Sequence, residues 1–203
     1  MNSKDLRREW ADRSGEYSPA YYAYRGPDRR SERVRAAIDR HLTGEPAILE
    51  VGCSAGRHLA HLLEHGYGDL TGIELNERAR GAMAETFPRL AARSTVHYDS
   101  MESVLPTVET DRFDAVFSVE TLQHVHPDSE WVFDELARVT ADLLITVENE
   151  GGGEDPPAFT EVRDGIRLYH RDWQAVFTDR GFEETAAEAG DRDTIRVFRR
   201  LPD

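Results

Sequence analysis

The fold is indicated most clearly by one segment: Ala47-Ile48-Leu49-Glu50-Val51-Gly52-Cys53-Ser54-Ala55-Gly56-Arg57-His58-Leu59-Ala60-His61-Leu62-Leu63. An apolar run of strand length leads into a turn that carries two glycines, and apolar residues at helical spacing follow the turn. Glycine lets the backbone turn sharply and approach a ligand closely where a strand passes into a helix. Free N–H groups at the start of that helix favour a polar or anionic ligand group. The stretch therefore predicts a strand–loop–helix unit that binds a ligand.

The rest of the chain repeats this alternation of strands and helices. Apolar runs predict strands at residues 70–75, 94–99, 112–119 and 143–147, and a closing strand pair at 182–187 and 194–198. Stretches with apolar residues at helical spacing lie between the first five strands. We therefore expect an α/β fold with a doubly wound, mostly parallel seven-stranded sheet, an antiparallel last strand and a three-layer α/β/α arrangement.

Polar residues fall at the predicted carboxyl ends of four different strands. These residues are Gly52, Glu74, Asp99 and Ser118, and ligands of doubly wound sheets bind beyond those strand ends. Glu74 follows Gly56 by eighteen residues, close to the spacing at which α/β dinucleotide folds place a carboxylate against ribose hydroxyls. Glu74 could instead be a solvated acid at a strand end, but the glycines upstream favour ribose binding.

The composition is strongly acidic. The chain has 39 Asp and Glu residues against 25 Lys and Arg residues, which gives a net charge of −14, and Lys4 is the only lysine. Such a charge repels nucleic-acid backbones and anionic membranes, so neither is expected as a partner. Acidity with almost no lysine is typical of adaptation to high salt, where screening relieves self-repulsion. A GC-rich coding bias would explain the arginines but not the acidity.

Cysteine content and hydropathy bear on the expected compartment. Cys53 is the sole cysteine, so an intramolecular disulfide or a cysteine cluster for zinc is excluded. The first residues lack the apolar core of a signal peptide, and no window approaches the length of a membrane span. We therefore expect a soluble, cytoplasmic protein that is a monomer or a homodimer.

Residues 1–45 are predicted to form a helical flap that is integral to a ligand-binding domain at residues 46–203. The flap carries a tyrosine-rich cluster between two predicted helices, the second at residues 31–42. Its aromatic rings either pack onto the domain as a simple cover, or form a lid over the active site. In the second interpretation Tyr22 or Arg25 touches cofactor or substrate. The sequence alone leaves both interpretations open.

Glu50-Val51-Gly52-Cys53-Ser54-Ala55-Gly56 resembles motif I of the class I S-adenosylmethionine-dependent methyltransferases, in which an acid, any residue, a glycine, three residues and a second glycine follow one another. Further segments of family character follow in order: Glu74, Asp99-Ser100-Met101, Phe113-Asp114-Ala115-Val116-Phe117-Ser118, Leu122-Gln123-His124-Val125 and Tyr169-His170-Arg171-Asp172-Trp173. The resemblance covers residues 47–198 and implies a Rossmann-like fold, S-adenosyl-L-methionine as cofactor, and methyl transfer. Ser54 departs from the family, because glycine often stands at its position.

The resemblance also implies a cofactor role for residues at the strand ends. Gly52, Cys53, Ser54 and Gly56 would border the amino-acid end of the cofactor, with Glu50 close beneath it. Glu74 would bind the ribose hydroxyls, and Leu75 would contact the adenine. Asp99 would face the adenine amino group, with Ser100 and Met101 beside the ring. Ser118 and Val119 would lie near the methionine portion and the sulfonium.

Methyl transfer requires an acceptor aligned with the S–CH₃ bond and a site that excludes water. A hydroxyl or protonated amine acceptor also benefits from a general base. His124 is the candidate base, because it follows the fourth strand and imidazole titrates near neutral pH. Alternatively, it orders its loop or contacts substrate without proton transfer. Glu120, His126 and Glu148 are lesser candidates, and Glu120 and Glu148 are also predicted to contact substrate.

Three further histidines, His58, His61 and His65, lie at helical spacing. They are predicted to form a solvated helix face. With no cysteine partner and no clear acid–histidine pattern beside them, no metal site is predicted.

The acceptor is predicted to be a small molecule, with O-methylation slightly favoured over N-methylation. Residues 118–121 lack the Asn/Asp-Pro-Pro-aromatic pattern, and together with the net charge this disfavours methylation of nucleobase amino groups. A nicotinamide-dependent oxidoreductase is disfavoured because no G-x-G-x-x-G follows the first strand. A non-catalytic sensor or partner subunit that binds S-adenosylmethionine is the alternative.

Overall fold

The computed structural model describes residues 2–152, 156–162 and 166–202. Its α-helices are α1 Ser3–Ala11, α2 Pro19–Arg25, α3 Arg29–His41, α4 Arg57–Glu64, α5 Arg78–Thr86, α6 Pro88–Ala91, α7 Met101–Val104, α8 Val132–Val139 and α9 Trp173–Thr178. Its strands are β1 Ile48–Val51, β2 Leu70–Ile73, β3 Thr95–His97, β4 Phe113–Val119, β5 Thr140–Glu148, β6 Phe159–Glu161, β7 Arg167–Tyr169, β8 Phe182–Ala189 and β9 Thr194–Arg200. Short 3₁₀ helices cover Leu105–Thr107, Leu122–His124 and Pro127–Ser129.

Seven strands form one sheet in the order β3-β2-β1-β4-β5-β9-β8. Strand β1 pairs in parallel with β2 and β4, whereas β9 runs antiparallel to both of its neighbours, β5 and β8. The predicted doubly wound sheet with an antiparallel last strand is therefore confirmed. The chain leaves β1 toward β2 and β3, then crosses to β4 on the other side of β1. Such a reversal opens a crevice at the carboxyl ends of the strands, where ligands of this fold class bind.

Helices cover both faces of the sheet, as the three-layer prediction requires. Successive residues of β1 point to opposite faces. Ile48 belongs to a buried cluster with Leu59 of α4, and Leu49 belongs to a second cluster with Phe133 of α8 and Trp173 of α9. All four residues of β1 are buried, which is why this strand is apolar throughout apart from one acid.

The N-terminal segment is more helical than the sequence indicated. The predicted connecting stretch of tyrosines is itself a helix, α2, because Ser18 caps it through the Tyr21 N–H and Pro19 occupies its first turn. A capping box between Asp28 and Ser31 starts α3. Helix α3 was predicted at residues 31–42 and is observed at Arg29–His41.

Two other elements differ from the sequence expectations. Strand β5 begins at Thr140, directly after α8 ends, and is longer than the predicted 143–147. Strands β6 and β7 form a small antiparallel sheet that was not predicted; the three side chains of β6 are all exposed, so no apolar alternation marks it. Glycine and proline at residues 151–157 predict a loop, and residues 153–155 of it lie outside the described residues. Among the helices described, none is long and apolar enough to traverse a bilayer.

Candidate functional site

A cavity lies at the carboxyl ends of the central strands, beneath α1 and α2. The cavity and its mouth enclose about 1150 Å³. Most residues predicted to bind cofactor or substrate line it, namely Tyr22, Glu50, Gly52, Cys53, Ser54, Glu74, Leu75, Asp99, Ser100, Met101, Val119, Glu120 and His124. The remaining predicted residues, Arg25, Gly56, Ser118 and Glu148, are not part of its lining.

The loop between β1 and α4 forms the floor of the cavity in a left-handed backbone conformation. The φ angles of Gly52, Ser54 and Gly56 are 71°, 51° and 82°. A Cβ atom on Gly52 would lie 2.2 Å from the hydroxyl oxygen of Thr121, so that position has no room for a side chain. Ser54 takes the same kind of conformation without being glycine, which costs backbone strain. The departure from the family pattern at Ser54 therefore leaves the loop geometry in place.

Glu74 ties this loop to the end of β2. One carboxylate oxygen accepts a hydrogen bond from the Ser54 N–H at 2.7 Å, and the other accepts one from the Asn76 N–H at 2.7 Å. Burial raises the pKa of Glu74, while these N–H donors lower it. The carboxylate is thus held in place at the cavity wall beside the glycine loop.

Several buried polar atoms of the lining residues lack a hydrogen-bond partner. They are Oε2 of Glu50, Oγ of Ser54 and Nε1 of Trp10. Burial raises the pKa of the Glu50 carboxyl well above its usual value, and the nearby Arg57 opposes that rise. An unpartnered buried polar atom is costly, so these three atoms fit a polar ligand that would complete their bonding.

Ser118 and Glu148 lie behind the cavity wall. The Ser118 hydroxyl donates to the Glu148 carboxylate at 2.6 Å. The same carboxylate accepts from the N–H groups of Thr121, Leu122 and Gln123 at 3.1–3.3 Å. Glu148 is fully buried, and burial raises its pKa to about 7. The prediction that Glu148 contacts substrate is therefore not supported by its position: its carboxylate is occupied in fixing residues 121–123.

His124 lines the cavity together with the glycine loop. Its Nδ1 is 3.2 Å from the carbonyl oxygen of Arg167; because a carbonyl only accepts, Nδ1 carries the proton and Nε2 keeps a free lone pair. Burial lowers the pKa of His124 to about 4. The ring is therefore neutral at ordinary pH, in the protonation state that a general base needs.

The N-terminal helices close the cavity from above. The side-chain amide of Asn76 donates to the carbonyl oxygens of Trp10 and Arg13, at 3.2 and 2.9 Å. Arg78 adds a hydrogen bond to the carbonyl oxygen of Asp12. The main chain of the flap is thus held by two side chains that follow Glu74, the predicted ribose-binding acid, at the end of β2.

Two residues of the flap were predicted to reach the ligand. Tyr22 lines the cavity under the guanidinium of Arg57, and burial raises the pKa of Tyr22 to about 12. Arg25 does not reach the cavity: it is exposed at the end of α2 and its guanidinium lies 4.7 Å from the ring of Tyr21. The prediction of a ligand contact by Arg25 is not supported by this position.

Arg57 and His58 both line the cavity, although no ligand contact was predicted for either residue. Arg57 donates to Asp28 at 2.9 Å, and Nδ1 of His58 is 2.8 Å from the Ser31 hydroxyl. Burial lowers the pKa of His58 to about 3. The prediction of a solvated histidine face was wrong for His58 and His61, which are both buried. The position of Arg57 and His58 at the start of the helix that follows the glycine loop was the signal available in the sequence.

Glu120 follows β4 at the cavity wall with a φ of 50°, a left-handed conformation for a residue that is not glycine. Its carboxylate is 3.6 Å from the guanidinium of Arg30 and 3.5 Å from that of Arg192. Strained conformations of this kind concentrate at functional sites. Glu120 remains a candidate for contact with the acceptor.

Comparison with known proteins supports the fold around this cavity. Residues 48–142 match a family described as a methyltransferase domain. No curated protein sequence matches the chain. A protein from Methanosarcina mazei described as a SAM-dependent methyltransferase superposes with a TM-score of 0.68 at 19% identity, covering 82% of this chain and 97% of that one.

Two other solved structures carry bound ligands. The 1,6-didemethyltoxoflavin-N1-methyltransferase of Burkholderia thailandensis, with 1,6-didemethyltoxoflavin and S-adenosylhomocysteine bound, has a TM-score of 0.68 and 17% identity, and the match covers 98% of this chain and 84% of that chain. The magnesium protoporphyrin IX methyltransferase of Synechocystis PCC 6803, with SAM bound, has a TM-score of 0.66 and 14% identity, with coverages of 98% and 92%. At these identities the likeness shows a shared fold.

Proposed function

We propose that this chain is a class I S-adenosylmethionine-dependent methyltransferase and that it methylates a small-molecule acceptor held between the flap and His124. S-adenosylmethionine supplies an electrophilic methyl group on a sulfonium sulfur. The protein then has to bind and align the two reactants and keep water out. The observation that carries this proposal is a cavity whose lining includes the glycine loop and Glu74 together with Trp10 and His124.

The cofactor half of the cavity is proposed to be the β1–α4 loop and the ends of β2 and β3. Glu74 would accept hydrogen bonds from the ribose hydroxyls, and Asp99 would accept one from the adenine amino group. Leu75 and Met101 offer apolar surface for the adenine ring. The unpartnered Oε2 of Glu50 supports a place near the amino-acid end of the cofactor, where a cationic ammonium group would complete its bonding.

The acceptor half is proposed to be the flap and the segment after β4. Trp10 and Tyr22 present aromatic surface there, and Glu120 and His124 present polar groups. A neutral His124 with a free Nε2 can take a proton from an acceptor hydroxyl as the methyl group is transferred, which favours O-methylation. A cavity covered by a flap suits a small molecule, and two structural neighbours are named for such acceptors.

Incubation with S-adenosylmethionine labelled with tritium in the methyl group, and with a panel of hydroxylated and amino-bearing metabolites, tests this function. We expect label in a hydroxylated product and strong binding of S-adenosylhomocysteine in calorimetry. Tight binding of S-adenosylhomocysteine without transfer to any acceptor would favour the alternative, a cofactor sensor or partner subunit. Label in an amino-bearing product alone would contradict O-methylation and leave methyl transfer intact.

The charge of the chain bears on its partners and conditions. The net charge is −14, and we propose that the protein has no nucleic-acid partner. We also propose that it is adapted to high salt, since screening weakens self-repulsion. We further propose that it is cytoplasmic and is a monomer or homodimer. Light scattering in 0.1 M and 2 M NaCl gives the oligomeric state in each condition. Thermal unfolding in the same buffers should show a higher Tm at 2 M; a lower one contradicts the salt adaptation.

A further inference from the structure

We propose a site for a divalent first-row metal cation of the Zn²⁺ class on the outer surface between α3 and α4, formed by Glu32, His61 and His65. One ligand atom from each of these residues lies within 4.8 Å of the other two. None of the three lines the methyl-transfer cavity. The sequence separates Glu32 from the two histidines, and only the packing of α3 on α4 brings them together.

The spacing between two of these groups already suits a metal ion. The Nε2 atom of His61 is 3.4 Å from a carboxylate oxygen of Glu32. Ligands of a tetrahedral Zn²⁺ lie about 2.0–2.2 Å from the ion, which sets them about 3.4 Å apart. The rings of His61 and His65 have centroids 4.2 Å apart, because His65 caps the C-terminal end of α4 and follows His61 by four residues. A small rotation of the exposed His65 ring would place the ligand atoms of all three residues around one ion.

His61 is the observation that points to a ligand. It is 94% buried, with a relative exposure of 6%, and its Nε2 has no hydrogen-bond partner. That atom faces a carboxylate oxygen of Glu32 at 3.4 Å but forms no hydrogen bond with it. Buried polar atoms are nearly always satisfied, and a metal ion between the two groups would satisfy both.

The other two groups are oriented by neighbours, as metal ligands usually are. Nδ1 of His65 lies 2.8 Å from the carbonyl oxygen of His61; since a carbonyl only accepts, Nδ1 carries the proton and Nε2 is left free as a ligand. Arg35 donates to one carboxylate oxygen of Glu32 at 2.9 Å, while the other oxygen faces His61. Two imidazoles and a carboxylate with an open position for water match the preferences of Zn²⁺.

The site would fasten α3 to α4 outside the cavity. The same helix pair meets inside the protein, where Ser31 contacts His58. A cation held by the folded chain but not by the unfolded chain stabilises the fold by linkage. The site would therefore stabilise the fold, and it lies outside the cavity proposed for methyl transfer.

Titration calorimetry of the full chain with ZnCl₂ tests the site, using protein without a histidine tag and freed of metal by chelation. We expect one Zn²⁺ per chain. His65→Ala and Glu32→Gln should each weaken binding by about tenfold or more, whereas His97→Ala, which removes an exposed histidine on β3, should leave it unchanged. We also expect Tm to rise by about 5–10 °C at a Zn²⁺ concentration near 100 Kd, and this rise should vanish in His65→Ala.

The side chains of His65 and Glu32 are exposed, so both variants are expected to fold, and circular dichroism checks this. Absence of a binding isotherm with wild-type protein would overturn the proposal. Equal Zn²⁺ affinity in wild type and His65→Ala would overturn it as well, because the ion would then be bound elsewhere. Binding of S-adenosylhomocysteine, measured on the same samples, separates this outcome from any failure of the proposed function.

Discussion

The indole ring of Trp10 packs on the imidazole ring of His124, with ring centroids 4.5 Å apart and planes inclined at 57°. One ring belongs to the first helix of the chain and the other to the 3₁₀ helix after β4. The flap therefore contacts the candidate base directly. Closure of the flap and the position of the imidazole are coupled by this pair.

Trp10→Ala should weaken the binding of S-adenosylhomocysteine by about tenfold, because removal of a large aromatic contact opens the flap over the cavity. Trp10→Phe keeps a ring against His124 but removes the unpartnered indole N–H, and we expect a smaller loss. Calorimetric titration of the variants measures both. Tyr24→Ala is the control, since Tyr24 lies on the same flap and is 93% exposed; an equal loss there would refute a specific role for Trp10.

Glu74→Gln should weaken binding of S-adenosylhomocysteine by about 10–100-fold. A hydrogen bond to a charged group contributes about 1.5–3 kcal/mol, and loss of that free energy corresponds to this change in affinity. The carboxylate also holds the Ser54 N–H, so loss of its charge loosens the glycine loop. Glu77→Gln removes an exposed acid three residues further on and should have no effect. Unchanged affinity in Glu74→Gln would remove this residue from the cofactor site.

Two glycine substitutions should act in opposite directions. Gly52→Ala forces a Cβ into the side chain of Thr121 at a φ of 71°, and we expect it to abolish cofactor binding and lower the free energy of unfolding by about 1–3 kcal/mol. Gly81 is exposed in α5 with nothing near its Cβ position. Gly81→Ala should raise the free energy of unfolding by up to about 1 kcal/mol. Urea unfolding compares the two, and a tolerated Gly52→Ala would contradict the geometry of the loop.

His124→Gln should lower kcat by about 100-fold or more while affinity for S-adenosylhomocysteine stays within about threefold, because a general base contributes to the transition state. Glutamine keeps a hydrogen bond toward the Arg167 carbonyl but cannot take a proton. His126→Gln is the matched variant at the same cavity and should retain most of the activity. If His126→Gln is instead the inactive one, the base has been assigned to the wrong histidine.

His124 should also make the stability of the protein sensitive to acid. Its pKa is lowered to about 4 in the folded state, against about 6.5 when unfolded. Between these values the unfolded chain binds a proton that the folded chain does not, so stability falls as pH falls, by about 1.4 kcal/mol per pH unit. Urea unfolding from pH 7 to pH 4.5 should show a shallower loss in His124→Gln than in wild type. Parallel curves would mean that the imidazole is not desolvated.

Much of the fold could be predicted because its central strands are buried on both faces. Burial on both faces makes such a strand apolar throughout, as residues 143–147 are. The glycines at the β1–α4 turn mark the point at which the strand order of the sheet reverses. Strands β6 and β7 could not be predicted, since they are short and β6 is exposed on all its side chains. Their packing decides the environment of His124 through the carbonyl group of Arg167.

A larger share of the residues predicted for the cofactor side than of those predicted for the acceptor side lines the cavity. Cofactor residues follow the ends of successive strands, so their order along the chain places them together. The composition of the acceptor side depends on which faces of α1 and α2 point into the cavity. It also depends on which backbone N–H groups form hydrogen bonds with the carboxylate of Glu148. Glu148 illustrates the limit: its place at a strand end predicted a ligand contact, but three backbone N–H groups occupy it.

Asn76 holds the flap through the carbonyl oxygens of Trp10 and Arg13, not through their side chains. Every residue type has such a carbonyl, so this fastening survives almost any substitution in α1. The side chains that cover the acceptor can therefore diversify while the cover stays attached. On this architecture, changes in a short N-terminal segment can reshape the cover of the cavity in evolution while the glycine loop and Glu74 stay in place.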